Sequence, residues 1–266
     1  MPYQGNPLAV VLNAEALDTD TMQRFTHWTN LSEAAFVMAP TPEGRAAGAD
    51  YRVRIFTPQT EYPFAGHPTL GACHAWLQAG GQPRQAGRVV QECGVGLVAL
   101  QRDGARLAFA APPSRRSAPA PAQLARVAQA LGLRPESIRA AQVLDNGPVF
   151  MTLLLPTRQD VLACTPDLQA LAALKTCAAL ASVEPGHIEV RAFGPHLGFD
   201  EDPVTGSLNA ALAQWLIADS LAPAGYVATQ GTCLGREGQV HVHRDADGTI
   251  WVGGESVTCV EGRVLL

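Results

Sequence analysis

The chain lacks the features that mark several functional classes. Only 16% of its residues are charged, and 19 Lys and Arg stand against 24 Asp and Glu, a net charge of −5. Proteins that grip nucleic acid neutralise phosphates with clustered cations, so no nucleic-acid partner is expected. No apolar run reaches the roughly 18–20 residues that a bilayer span needs. The densest run, Val149–Leu155, is strand-sized, and no membrane partner is expected. No basic segment precedes the short Leu8–Leu12 run, which speaks against a secretory signal and for a cytoplasmic protein. The cysteines at 73, 93, 164, 177, 233 and 259 form no C-x-x-C pair, so reduced, mostly buried thiols are expected rather than a disulfide framework. Neither G-x-S-x-G nor a Walker sequence occurs. Gly94-Val95-Gly96-Leu97-Val98-Ala99 matches the loose dinucleotide pattern, but a hairpin strand follows where a helix is required. His241 and His243 share a strand face without a third ligand, and no metal is expected.

What the chain does have is core-forming material: 47% of its 266 residues are hydrophobic. That length suits one large domain or two small ones. The strongest boundary signal is the stretch from Pro112 to Pro121, which holds four prolines among small and charged residues and should carry neither helix nor sheet. Domains of 1–112 and 113–266 follow, with the last strand able to return to the first domain. Leu8–Leu12, Ala34–Met38 and Arg52–Phe56 read as strands, as do Val95–Leu100 and Arg106–Phe109 around the turn Asp103-Gly104. Asp20 with Gln23 resembles a capping box for a helix towards Trp28. Pro68 suits the first turn of a helix ending at Gly80-Gly81. Further on, Gln123–Leu131 and Leu168–Leu180 read as helices, and Val149–Leu155, Val240–His243 and Ile250–Val252 as strands. Many strands with a few helices make an α+β protein.

An internal repeat is visible. Val53-Arg54-Ile55-Phe56-Thr57-Pro58 returns as Val190-Arg191-Ala192-Phe193-Gly194-Pro195, 137 positions on. Gly66 and Gly206 follow at an offset of 140, and Trp76-Leu77 and Trp215-Leu216 at 139. Each copy reads as strand, proline loop, glycine turn and helix. In the second helix Leu208, Ala211, Leu212, Trp215 and Leu216 fall on one face. Two such motifs about an approximate twofold can aim two helix N-termini into one cleft, where free N–H groups favour a ligand bearing a carboxylate.

Candidate functional residues cluster on these turns. In Ala65-Gly66-His67-Pro68-Thr69, Gly66 lets the backbone approach a ligand. His67, at a helix start, suits a neutral hydrogen-bonding role over a cationic one. In the acidic turn Asp200–Ser207, Asp202 enters the turn and Thr205-Gly206-Ser207 supplies donors and a helix cap. Alone, such a turn is usually solvated surface; its place in the repeat argues for a site. Glu33 is a lone carboxylate at the mouth of an apolar strand. If enclosed, its pKa rises and it can both take and return a proton near neutral pH.

Together the motifs resemble the PhzF (phenazine biosynthesis-like) family. They are Gly5-Asn6-Pro7-Leu8-Ala9-Val10, Asn30-Leu31-Ser32-Glu33, Arg54–Pro58, Pro63–Thr69, Glu201–Ser207 and Gln230-Gly231 with Gly235-Arg236. The resemblance implies a diaminopimelate-epimerase-like fold: two similar α+β domains, each a mostly antiparallel sheet wrapped around a central helix, with the active site between them. It also implies a cofactor-independent isomerase, usually a homodimer, whose best-known activity shifts a proton within trans-2,3-dihydro-3-hydroxyanthranilate. By motif, Glu33 is the acid/base, His67 and Asp202 are its catalytic companions, and Gly66, Gly206 and Ser207 bind a small carboxylate substrate. Related epimerases place a cysteine before each turn glycine. Ala65 and Thr205 occupy those places here, which argues against a two-thiol mechanism. The apolar strand that usually precedes Gly-Asn-Pro has no counterpart in Met1-Pro2-Tyr3-Gln4, and Ala34-Ala35 replace the commoner threonines. A binding protein that keeps the scaffold without turnover is the alternative.

Overall fold

The computed structural model describes residues 2–266; Met1, where the expected first domain begins, lies outside the described residues. The chain forms two compact units. One holds Pro7–Ala110 and Gly253–Leu266 with residues 2–3, and the other holds Gln4–Asn6 and Ala111–Val252.

The first unit contains, in chain order, β1 (Ala9–Val11), α1 (Thr19–Thr29), β2 (Ala34–Met38), α2 (Pro42–Ala46), β3 (Tyr51–Phe56), β4 (Glu61–Tyr62), α3 (Gly66–Gln78), β5 (Arg88–Cys93), β6 (Gly96–Asp103) and β7 (Arg106–Ala110). Its sheet runs β1-β2-β3-β5-β6-β7, with β4 on β3. Ala34–Val37 are buried without alternation, because β2 has packing on both faces. On one side Phe25, Phe36 and Phe56 stack edge to face beside Met22 of α1. On the other, α3 packs against β1, β2, β3, β5 and β7 alike, so the sheet curls round this helix.

The second unit repeats the plan. It contains β8 (Arg115–Ser117), α4 (Pro121–Ala130), β9 (Ala140–Asp145), β10 (Val149–Leu155), α5 (Arg158–Ala163), α6 (Leu168–Leu174), β11 (Cys177–Glu184), β12 (His187–Gly194), β13 (Phe199–Glu201), α7 (Gly206–Ala218), β14 (Gly225–Gln230) and β15 (Gly238–Arg244). The last strand, β16 (Ile250–Glu255), begins in this unit beside β15. The sheet order is β15-β14-β12-β11-β10-β9-β8, with β13 on β12. Pairing sense is the same in both units. β1–β2 and β10–β11 are parallel, β2–β3 and β11–β12 antiparallel. β3–β5 and β12–β14 are parallel, β5–β6 and β14–β15 antiparallel. The duplicated strands are β3 and β12, and the duplicated helices α3 and α7 are 13 residues each. Leu153, Leu155, Leu180 and Phe193 bury one face of this sheet against Val127, Val161 and Leu171 from α4–α6 and Leu131 at the end of α4.

Four local expectations are revised. The N-cap of α1 is Asp18, which accepts from the Thr21 N–H at 2.7 Å, while Gln23 donates to the Thr57 carbonyl at 2.7 Å and holds the turn after β3. The helix read over Leu168–Leu180 stops at Leu174, because Lys175 turns left-handed (φ 49°) and Cys177 starts a strand between β10 and β12. The proline-rich stretch does carry sheet: its proline-free residues Arg115–Ser117 add an edge strand to β9. Finally, α7 is not one-faced. Leu208 to Ala213 are all buried, as befits a helix enclosed on every side.

Candidate active site

In the first unit, β2 lies between β1 and β3, which fixes Glu33 at its entry, one residue before Ala34. His67 is the second residue of α3, after Gly66. The structure brings these side chains together: His67 Nε2 lies 3.7 Å from Glu33 Oε2, with the side chains 16% and 17% exposed. Glu33 Oε2 is shielded from solvent and has no hydrogen-bond partner among the described residues. Burial raises the Glu33 carboxyl above the usual glutamate value, and a bond from Ser32 offsets only part of that rise. A carboxyl held this way is chemically suited to take up and return a proton.

In the second unit, Asp202, Gly206 and Ser207 lie together on the turn from β13 into α7. Glu201 anchors that turn. Arg191 Nε and Nη2 clamp its carboxylate at 3.0 and 2.8 Å, and Arg191 Nη1 donates to the carbonyls of Val161 and Cys164. The Asp202 carboxylate accepts from Asn6 Nδ2 at 2.8 Å on one oxygen and from the Thr205 hydroxyl at 2.6 Å on the other. Of the segment Thr205-Gly206-Ser207, expected to supply donors and a cap for α7, Thr205 holds the N-cap position, where its side chain could cap the helix. It does not; its hydroxyl is diverted to Asp202. Asn146 donates to the Ser207 carbonyl at 2.8 Å.

The two central helices share one property. Side chains of Asp18, Thr41, Thr157 and Asp167 cap α1, α2, α5 and α6, whereas Ala65 and Thr205 give no side-chain cap to α3 and α7, nor does Ala120 to α4, which opens on Pro121. Amides at the starts of α3 and α7 are therefore left for another acceptor, and a helix N-terminus favours an anion. Neither Gly66 nor Gly206 has a positive φ, so backbone conformation alone does not call for glycine there. Cys73 lies inside α3, wholly buried, and burial pushes its thiol up to about 12, which makes it inert. All six cysteines are unpaired. Among the described residues, no three His, Cys, Asp or Glu side chains gather as metal ligands, and no helix is long and apolar enough to cross a membrane.

Reading the residues assigned no role to Asn6 or Gln230. Asn6 meets Asp202 across 196 positions of sequence, and Gln230 reaches the Asp202 carbonyl from β14 at 3.0 Å. The available signal was their presence in two of the matched motifs, Gly5-Asn6-Pro7 and Gln230-Gly231.

Comparison with known proteins shows the family of the chain. The family described as phenazine biosynthesis-like protein matches residues 1–262. A Pseudomonas aeruginosa protein named trans-2,3-dihydro-3-hydroxyanthranilate isomerase is 34% identical over 100% of this chain and 95% of its own length. Antisense-enhancing sequence 1 of Schizosaccharomyces pombe is 32% identical over 98% and 94%. Among solved structures, a Bacillus anthracis phenazine biosynthesis protein of the PhzF family superposes with a TM-score of 0.84 at 21% identity, covering 100% of this chain and 95% of that one, and so shares the fold.

Proposed function

The chain belongs to the phenazine biosynthesis-like (PhzF) family and is an isomerase, and from this we propose that it moves a proton within a small carboxylate-bearing substrate by general acid–base catalysis, without a cofactor. The observation that carries the reading is the Glu33 carboxyl, shielded, shifted upward by burial and 3.7 Å from His67. Ionised Glu33 takes a proton from a carbon acidified by a neighbouring unsaturated or carbonyl group. The neutral acid that results is the form burial favours, and it returns the proton to another carbon of the same molecule. His67 and Asp202 orient the substrate and share its proton-transfer network. Gly66, Gly206 and Ser207 hold its carboxylate through the uncapped amides of the helix starts. Positioned proton transfer supplies about 10²–10⁴-fold, and orientation and charge stabilisation supply the rest. The substrate class is a dihydroaromatic amino acid like that named for the Pseudomonas relative. The working form is a homodimer, and light scattering at the mass of one chain would overturn that part.

The experiment is to incubate the protein with trans-2,3-dihydro-3-hydroxyanthranilate in D₂O and follow isomerisation and deuterium uptake by NMR. Glu33→Gln is expected to lower both by about 10²-fold or more. Equal deuterium uptake in Glu33→Gln and the wild type removes Glu33 from this role. Stabilisation by the compound with neither exchange nor turnover replaces catalysis of this reaction with binding alone.

A further inference from the structure

We propose that Gln230 is a positioning residue that, acting through the Thr205 hydroxyl, fixes the direction of the hydrogen bond reaching Asp202. The inference rests on the reading of Asp202 as a substrate-facing group.

The side-chain amide of Gln230 is fully buried and its bonding capacity is used up locally. Its Oε1 accepts from the Thr205 N–H at 3.0 Å and from Asn209 Nδ2 at 2.9 Å. Its Nε2 donates to the Asp202 carbonyl at 3.0 Å and to Thr205 Oγ1 at 2.9 Å. The orientation of the amide is determined, because turning it over would set NH₂ against the Thr205 N–H. Thr205 Oγ1 therefore already accepts from Gln230, and its single proton is directed to Asp202 Oδ2, 2.6 Å away. With Asn6 Nδ2 donating to the other oxygen, both oxygens of Asp202 are held as acceptors facing fixed donors.

The backbone on either side keeps Gln230 in place. Gly231 has φ +87°, and a Cβ there would sit 2.7 Å from the Pro203 carbonyl oxygen, so β14 can leave Gln230 only through a glycine that packs on the same turn. The first unit has a parallel device. Gln91, also fully buried and also on the strand following the central helix, donates to Thr69 Oγ1 at 3.0 Å and accepts from the Tyr51 hydroxyl at 2.8 Å. Thr69 and Asn209 are each the fourth residue of their helix. A buried glutamine thus grips the first turn of both central helices, but only in the second unit does it also set the polarity of a hydroxyl bonded to a candidate catalytic group.

The test compares Thr205→Val, Thr205→Ser, Gln230→Glu and Asp202→Asn with the wild type, measuring kcat, KM and melting temperature with trans-2,3-dihydro-3-hydroxyanthranilate. Thr205→Val keeps the shape and removes the hydroxyl. It is expected to lower kcat by about 10-fold or more with KM changed by less than about threefold, and Thr205→Ser is expected to recover most of the loss. Gln230→Glu replaces the donor facing Thr205 with an acceptor and should match Thr205→Val; if it does not fold, the valine and serine pair decides. Valine at 205 with wild-type kcat overturns the proposal, and so does a loss that serine does not recover. Asp202→Asn at wild-type activity instead overturns the reading of Asp202 itself. Neutron diffraction of D₂O-exchanged crystals decides independently of any substrate. Deuterium on the line from Thr205 Oγ1 to Asp202 supports the proposal, and deuterium directed elsewhere overturns it.

Discussion

Glu33 is held against its own solvation preference. Burial favours the protonated form, so the native state binds this proton more readily than the unfolded chain does. Stability from this group is then fully present below the ordinary glutamate value and is lost as pH rises through the raised native value. Above that window the ionised carboxylate, whose Oε2 accepts no hydrogen bond, works against the fold. Glu33→Gln, which keeps the shape and cannot ionise, should melt above the wild type at pH 7.5, with the difference vanishing near pH 4. Calorimetry at the two pH values checks it; an equal difference at both, or a less stable glutamine variant, means that Glu33 is not strained by burial. The same substitution is expected to lower exchange, so stability and activity should move in opposite directions. Glu33, His67, Asp202 and the two glycines were legible as candidates in the sequence because each sits in a short motif next to an apolar strand or a helix start. The Asn6 donor to Asp202 was not, since the two lie 196 positions apart and meet only in the folded chain.

Elements were legible where local pattern and tertiary packing agree, and failed where packing decides. Leu168 to Leu180 is an apolar, alanine-rich run that periodicity alone cannot divide between helix and strand. The division lies at Lys175, whose φ of 49° breaks the run and whose left-handed conformation no lysine advertises. From Cys177 to Ser182 the chain is buried without alternation between β10 and β12, so partners supplied by distant sequence override local helix propensity. The strand Arg115–Ser117 was hidden for the same reason, because only β9 gives it a ladder. Lys175 makes the boundary testable. A residue with a Cβ is disfavoured in the left-handed region, and glycine is not. Lys175→Gly should therefore stabilise the protein by about 0.5–1 kcal/mol in urea titrations at unchanged m-value. It should also let the His196 pKa rise part of the way back, since burial and then the Lys175 charge hold it down. A destabilised glycine variant would show that the lysine side chain, and not the backbone turn, closes α6.

At the scale of the whole chain the repeat is the organising fact, and its two copies have diverged in how they hold their charges. Arg54 lies over the Phe56 ring at 5.0 Å and clamps Glu61 through Nε and Nη2; Arg191 lies over the Phe193 ring at 4.9 Å and clamps Glu201 in the same way. Sequence matching found the strand and the arginine in each copy, but not the partners, because Glu61 and Glu201 follow their arginines at different separations, |i−j| of 7 and 10. Environment separates the pairs. The Arg54 and Glu61 side chains are 19% and 40% exposed, against 5% and 9% for Arg191 and Glu201. An exposed pair contributes about 0–1 kcal/mol, whereas removing one member of a buried pair strands the other charge and costs about 3–5 kcal/mol. Arg191→Met also strips the Val161 and Cys164 carbonyls of a donor, while Arg54→Met loses one contact to the Thr19 hydroxyl. The same substitution at matched positions should therefore cost at most about 1 kcal/mol at Arg54 and at least about 3 kcal/mol at Arg191 in urea unfolding. Because Glu201 directly precedes Asp202, the Arg191 variant should also lose isomerase activity at temperatures where it remains folded. Equal costs at the two positions would mean that burial does not distinguish these pairs, and full activity in Arg191→Met would mean that the turn carrying Asp202 is held without its anchor.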